Sequence, residues 1–354
     1  MKNGGIKMKR TLTLLLTAIM ILVIFVGCAQ ISNDASADPN NATPETNSID
    51  SAESSDEFLL GVSFPFLNDP YFVIMRDTFV READARGWTL TESDAASDPA
   101  KQANAIDNMI SAGCDAIVIC AVDSEAIVPS IKNCNDAGIP VFTIDVKCST
   151  TENEKVEFHI ETNNYQGGQI VGEWLVDYLG GEGKIAIGNY PQIECCRMRY
   201  DGFVDALEGS NIEIVAEQRG CSVDEGMKIG EAWAASIAKE IDAVYCTDDN
   251  TAYGIMTAFL NNDIEDVVFC AVDGQQMSQQ AMIDGKPFGC SGAQRPRLMA
   301  ELEMEAIDRY LEGGTLPEIV QIPVVNITPE NAASIDIPGN TGYPPFSIDW
   351  SQYD

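Results

Sequence analysis

From residue 58 onward, short and nearly unbroken apolar runs alternate with longer amphipathic stretches. FLLGVSF (58–64) precedes a helix expected from about Tyr71 to Arg86, WTLTES (88–93) one from Pro99 to Ala112, and DAIVICAV (115–122) one from Glu125 to Ala137; PVFTID (140–145) follows. The pattern then restarts: VEFHIET, a helix from Tyr165 to Leu179, KIAIGN, a helix from Glu194 to Leu207, IEIVAEQ, and a helix from Asp224 to Lys239. DAVYCT, a helix from Thr251 to Leu260, DVVFCAVD, a helix from Gln275 to Ile283, FGCSGA, a long helix from Arg297 to Leu311 and IVQIPVVNI complete it. Strands that are apolar on both faces and separated by helices build parallel sheets covered on both sides. The expected fold class is therefore α/β, two doubly wound parallel-sheet lobes.

The first 57 residues lie outside this pattern. Lys2, Lys7, Lys9 and Arg10 precede an uncharged run from Thr11 to Val26 that ends at Gly27-Cys28. A spanning helix needs about 20 apolar residues, so this shorter run, ending in small residues, is expected to be a signal peptide. The Phe25-Val26-Gly27-Cys28 stretch resembles a lipobox, which implies lipidation of Cys28 and a lipid-anchored, extracytoplasmic protein, although Phe25 is an unusual residue there. From Ala29 to Glu57 the chain carries seven acidic residues and no basic one, and Pro39 and Pro44 interrupt any helix. So polar a stretch buries too little to offset its ordering entropy, and it is expected to be a disordered tether.

Composition narrows the chemistry. With 21 Lys and Arg against 55 Asp and Glu in 354 residues, the net charge is −34, falling to −38 once residues 1–27 are removed. No basic surface is available for phosphate backbones, so nucleic acid is excluded as a partner. His159, the only histidine, rules out multi-histidine metal sites and argues against a Ser-His-Asp triad. Ten cysteines remain after Cys28, an even number that raises a disulfide framework. Cys120, Cys246, Cys270 and Cys290, however, sit inside strand-like runs where a free thiol packs as a small hydrophobe. The adjacent Cys195 and Cys196 are expected at a helix start, packed inward.

In open α/β sheets ligands lie beyond the carboxyl ends of the strands. The residues there are Asn68-Asp69-Pro70-Tyr71-Phe72, Asp123, Asp145, Arg197 with Arg199, Asp248-Asp249-Asn250, Asp273-Gly274 and Gln294. Carboxylates accept from hydroxyls, Arg and Gln donate to ring oxygens, and aromatics cover C–H faces, a set suited to a neutral polyhydroxyl ligand. Each Asp or Asn can equally be an N-cap of the helix that follows. Asp249 is expected to cap the helix starting at Thr251. Gly180-Gly181-Glu182-Gly183-Lys184 mimics a phosphate loop, but Ile185 replaces the Ser or Thr and a strand follows, so it is a helix-to-strand turn. No metal or cofactor is called for.

Taken together, NDPYF (68–72), DPAKQ (98–102), GIPVFTID (138–145), NYQGG (164–168), RMRYDGF (197–203), AVDG (271–274) and ITPEN (327–331) give the chain a resemblance to periplasmic sugar-binding proteins of the ribose- and galactose-binding type. The resemblance spans about Phe58 to Asn331. It implies a type I, Venus-flytrap fold with a three-crossover hinge near Glu161–Asn163, Gln294 and Val324. The expected units are 1–28 (leader), 29–57 (tether), 58–161 with 295–324 (first lobe), 162–294 with 325–335 (second lobe) and a tail, 336–354, of no assigned role. The resemblance assigns Asp69, Tyr71, Phe72 and Asp145 to the ligand from the first lobe, and Arg197, Asp248, Asp273 and Gln294 from the second lobe and hinge. The chain departs from the ribose pattern at Val146, where a second arginine would stand, at Val272, where a Phe would, and at Asp69 and Asp248, where Asn would. The implied function is that of a monomeric solute-binding lipoprotein that delivers a monosaccharide or polyol to an ABC permease. A receptor subunit for a sensor kinase would need the same pocket. A glycoside hydrolase would need a carboxyl pair about 5 to 10 Å apart.

Overall fold

Asp69 and Asp98 start the first two helices in the same way. Each sits in extended backbone before a proline and accepts amide protons of the first turn, from Tyr71 and from Ala100 and Lys101, while Pro70 and Pro99 take the first helical position, where no donor is needed. Gly87 and Gly113, both left-handed, end those helices and return the last carbonyls to backbone amides.

The computed structural model describes residues 57–353; the leader, Cys28 and the tether up to residue 56 lie outside the described residues. In chain order the elements are β1 (Leu59–Phe64), α1 (Pro70–Arg86), β2 (Thr89–Asp94), α2 (Pro99–Ala112), β3 (Ala116–Ile119), α3 (Val128–Asp136), β4 (Val141–Ile144), β5 (Phe158–Thr162), α4 (Asn164–Leu179), β6 (Glu182–Asn189) and α5 (Glu194–Ala206). Then come β7 (Asn211–Arg219), α6 (Val223–Ser236), β8 (Ala243–Cys246), α7 (Asp249–Leu260), β9 (Val268–Asp273), α8 (Gln276–Ile283), β10 (Phe288–Ala293), α9 (Pro296–Leu311), β11 (Ile319–Ile322) and β12 (Val325–Ile327). α3 starts three residues later than its pattern predicts, because the Asp123 carboxylate takes the amides of Glu125 and Ala126 and holds that stretch as a turn.

The strands form two six-stranded sheets, ordered β11-β5-β4-β3-β1-β2 and β12-β10-β9-β8-β6-β7. All pairs are parallel except β10 with β12. The chain thus passes between lobes after β5, after β10 and between β11 and β12. The run IVQIPVVNI is two strands in different sheets, broken at Pro323, which has no amide to donate to a ladder, so the chain crosses between lobes at the hinge expected near Val324.

Each sheet is covered on both faces. Met75 and Phe79 of α1 and Met299 and Ile307 of α9 pack on one side of the first sheet, and Ile106 and Met109 of α2 with Ile131 of α3 on the other. In the second lobe, Val171, Leu175 and Phe203 of α4 and α5 cover one face, and Trp233, Ile255 and Phe259 of α6 and α7 the other. Within α9, Glu303 is fully buried and neither carboxylate oxygen has a hydrogen-bond partner.

The segment after β12 is not a loose end. Ile335, Ile337 and Tyr343 pack on the second-lobe core, whereas Phe346, Ile348 and Trp350 pack on that of the first. Between them Arg295, at the β10–α9 crossing, donates to Asn340 Oδ1 (3.0 Å) and the Pro344 carbonyl (3.1 Å), and lies over the Tyr343 ring. The tail therefore spans the lobes a fourth time.

Candidate interlobe binding site

Two non-glycine residues at the carboxyl ends of strands carry positive φ, Asp145 after β4 (68°) and Asp273 at the end of β9 (149°). Such backbone costs about 1–3 kcal/mol per residue and persists where the surroundings over-determine it, commonly at ligand sites. Here it turns each carboxylate toward the cleft between the lobes. Asp145 accepts the Tyr71 hydroxyl at 2.8 Å on one oxygen and approaches the Cys120 thiol at 3.9 Å with the other. Asp273 accepts Arg199 Nη1 and Gln294 Nε2, both at 2.8 Å, through a single oxygen, and the Asp249 amide through the second.

The position of Arg199 follows from two glycines in the motifs that surround it. A methyl group on Gly168 of α4 would overlap the carbonyl of Arg199, and one on Gly202 of α5 would overlap the carbonyl of Tyr165. The two helices consequently meet backbone to backbone, with the buried stripe of α5 running Cys196, Arg199, Gly202, Phe203. The Arg199 guanidinium, 4% exposed, donates from Nε to Asn164 Oδ1 (2.9 Å) and from Nη1 to the Thr247 carbonyl (2.9 Å) and Asp273. Arg197, expected in the pocket, is not there. Two residues along an α-helix turn the side chain by about 200°, and Arg197 lies exposed, donating to the Pro191 carbonyl. Lys147 is exposed as well, and Val146 packs on the first-lobe core.

Asp69 and Asp248 turn out to be helix caps and cleft residues at once. Asp69 caps α1 through one oxygen, and Asp248, 5% exposed, caps α7 by taking the amide and hydroxyl of Thr251. Asp249 is therefore not the cap. It lies inside α7, buried, accepting from the Ser291 hydroxyl and the Gln275 amide (2.7 Å each), and so ties the β9–α8 loop to α7. Gln294 connects the lobes: its amide donates to Asp273 while its carbonyl accepts the Thr162 hydroxyl at the end of β5. Phe72 is mostly core, edge-on to Tyr71 and to Phe66, an aromatic absent from the residues picked out in the sequence.

These groups feel one another across the cleft. Burial and the charge of Asp273 both raise Asp69 above the usual carboxylate range, against the Tyr71 amide bond. Burial also raises Asp145, opposed by the Tyr71 hydroxyl and Arg199. Asp248 is pushed up to about 7 by burial and then by Asp273. Tyr71, buried beside Asp145, is held well above its ordinary value. The lobes are also in apolar contact, since Ile74 of α1 packs among the second-lobe core residues. All ten cysteines of the described residues are free, and no group of three or more His, Cys, Asp or Glu among those residues is arranged to hold a metal ion.

Residues 60–315 match the periplasmic binding protein domain family. The ribose import binding protein of Bacillus subtilis is 29% identical over 276 residues, 76% of this chain and 86% of that protein. Among solved structures, the periplasmic component of the arabinose ABC transporter of Shewanella sp. ANA-3, bound to L-arabinofuranose, is 25% identical with a TM-score of 0.72, covering 78% of this chain and 93% of that one. A solute-binding protein of Bacillus halodurans C-125 with bound myo-inositol is 26% identical with a TM-score of 0.71, covering 79% and 98%. The relatives are binding proteins rather than enzymes, which removes the glycoside hydrolase alternative.

Proposed function

Because this chain belongs to the periplasmic binding protein family, we propose that it is the extracytoplasmic solute-binding component of an ABC importer, capturing a monosaccharide or related polyol between its lobes and delivering it to the permease. The observation that carries this reading is the polar cluster contributed from both sides of one cleft, Asp69, Tyr71 and Asp145 from the first lobe and Arg199, Asp248 and Asp273 from the second, with Gln294 joining them. Hydroxyls on adjacent carbons can bridge carboxylates and amides on opposite walls, and only when the walls are close. The relatives' ligands, ribose, L-arabinofuranose and myo-inositol, are all small and rich in hydroxyls.

A thermal-shift screen against sugars and polyols should find a ligand that raises the melting temperature, since a solute bound only by the native state stabilises it. X-ray scattering at saturation with that ligand should give a smaller radius of gyration than without it. An unchanged profile with ligand bound would rule out capture by hinge closure.

The same reading places a lipid on Cys28, with the acidic segment after it as the tether. The surface, at a net charge of −38 once residues 1–27 are removed, repels anionic headgroups, so the acyl chain alone would hold the protein at the membrane. Cys28→Ser should move the protein into the soluble fraction. Tight membrane association of that variant would instead point to an uncleaved helix.

A further inference from the structure

Four carboxylates, those of Asp69, Asp145, Asp248 and Asp273, converge on the cleft with one guanidinium, that of Arg199. Arg199 is already committed, donating to Asp273, Asn164 and the Thr247 carbonyl. The other basic side chains near these positions in sequence, Lys147 and Arg197, are exposed. We propose that the solute this cleft is built for carries a positive charge, an amino-bearing sugar or polyol rather than a neutral one. The proposal rests on the sugar-binding reading above and narrows it.

The reason is the difference between hydrogen bonding and charge. A neutral hydroxyl satisfies a carboxylate's lone pairs but leaves its charge uncompensated, and like charges drawn together out of water repel. Asp69 and Asp248 record that repulsion, each raised by burial and by Asp273. An ammonium brings three donors and the missing charge in the volume of a hydroxyl group. A bare metal ion would supply charge too, but no group of three or more ligating side chains among the described residues is arranged to hold one. The Tyr71 hydroxyl, the Gln294 amide and Arg199 already donate to Asp145 and Asp273, so the charge facing Asp69 and Asp248 would come from the solute.

Calorimetric titration with matched pairs at neutral pH tests this: D-glucose with D-glucosamine, D-galactose with D-galactosamine, and myo-inositol with an inosamine. In at least one pair the amine should bind ten-fold or more tightly than its hydroxyl twin. In an Asp69→Asn, Asp248→Asn double variant that advantage should shrink toward one-fold while the neutral twin binds at least as well as before. Asparagine caps helices as well as aspartate, so α1 and α7 keep their starts. If neutral members bind and no amine exceeds its twin, the charge argument is wrong and the sugar-binding reading stands. If the double variant keeps the amine preference, these carboxylates are not its source and the proposal fails. If neither sugars, polyols nor amines bind, both fail together.

Discussion

Replacing Arg199 with alanine should destabilise the fold by about 3–5 kcal/mol, the cost of breaking a buried ion pair by removing one partner. The substitution strips three acceptors of a donor at once, Asn164 Oδ1, the Thr247 carbonyl and Asp273 Oδ1, and leaves the cleft carboxylates facing one another without a cation. Ligand binding should disappear with it. Arg199→Lys should recover only part of the stability, because an ammonium cannot reproduce the guanidinium fork that donates from Nε and Nη1 in fixed directions. Thermal melts of the three proteins check this; an alanine variant melting with the wild type would mean that the network contributes no stability.

Glu303→Met should act in the opposite direction, stabilising by about 1–3 kcal/mol at neutral pH, the penalty of a buried polar group without partners. Burial holds this carboxyl well above its ordinary 4.5. The folded protein therefore retains a proton that the unfolded chain releases, and stability should fall as pH rises above 4.5. Asp248, raised from 3.8 to about 7, contributes a slope of the same sign between those values. The wild type should thus melt higher at pH 5 than at pH 8, and the methionine variant should lose part of that difference while gaining most at the alkaline end. A variant less stable than the wild type at pH 8 would mean that the carboxyl has a partner in solution.

Much of the fold was legible because strand and helix have different periods. Runs such as AIVIC and AVYC are too apolar and too short to be helices, and the Asp-Pro and Gly punctuation around α1 and α2 marks both ends. The strand-end rule led to Asp145 and Asp273 without any geometry. It could not choose between Arg197 and Arg199, since both follow β6; the spacing Cys196, Arg199, Gly202, Phe203 on one helical face holds that choice, and a reading by motif alone passes over it. Asp248 and Asp249 were confused for a related reason, as either can cap a helix and only the Thr251 bonds decide. The lobe-spanning tail depends on contacts between distant parts of the chain, which leave little local pattern.

That tail affects when the protein can fold as well as how it is held. The first sheet begins in the chain with β1, yet its edge strand is β11, its long helix is α9, and the aromatic cover over Phe158 is Trp350. A ribosome must finish nearly the whole chain before the first lobe can close its core. Contacts between residues so far apart in sequence form late and slowly. The first lobe consequently lacks part of its core until the chain has been made through β11 and the tail, a delay that suits the export proposed for this chain.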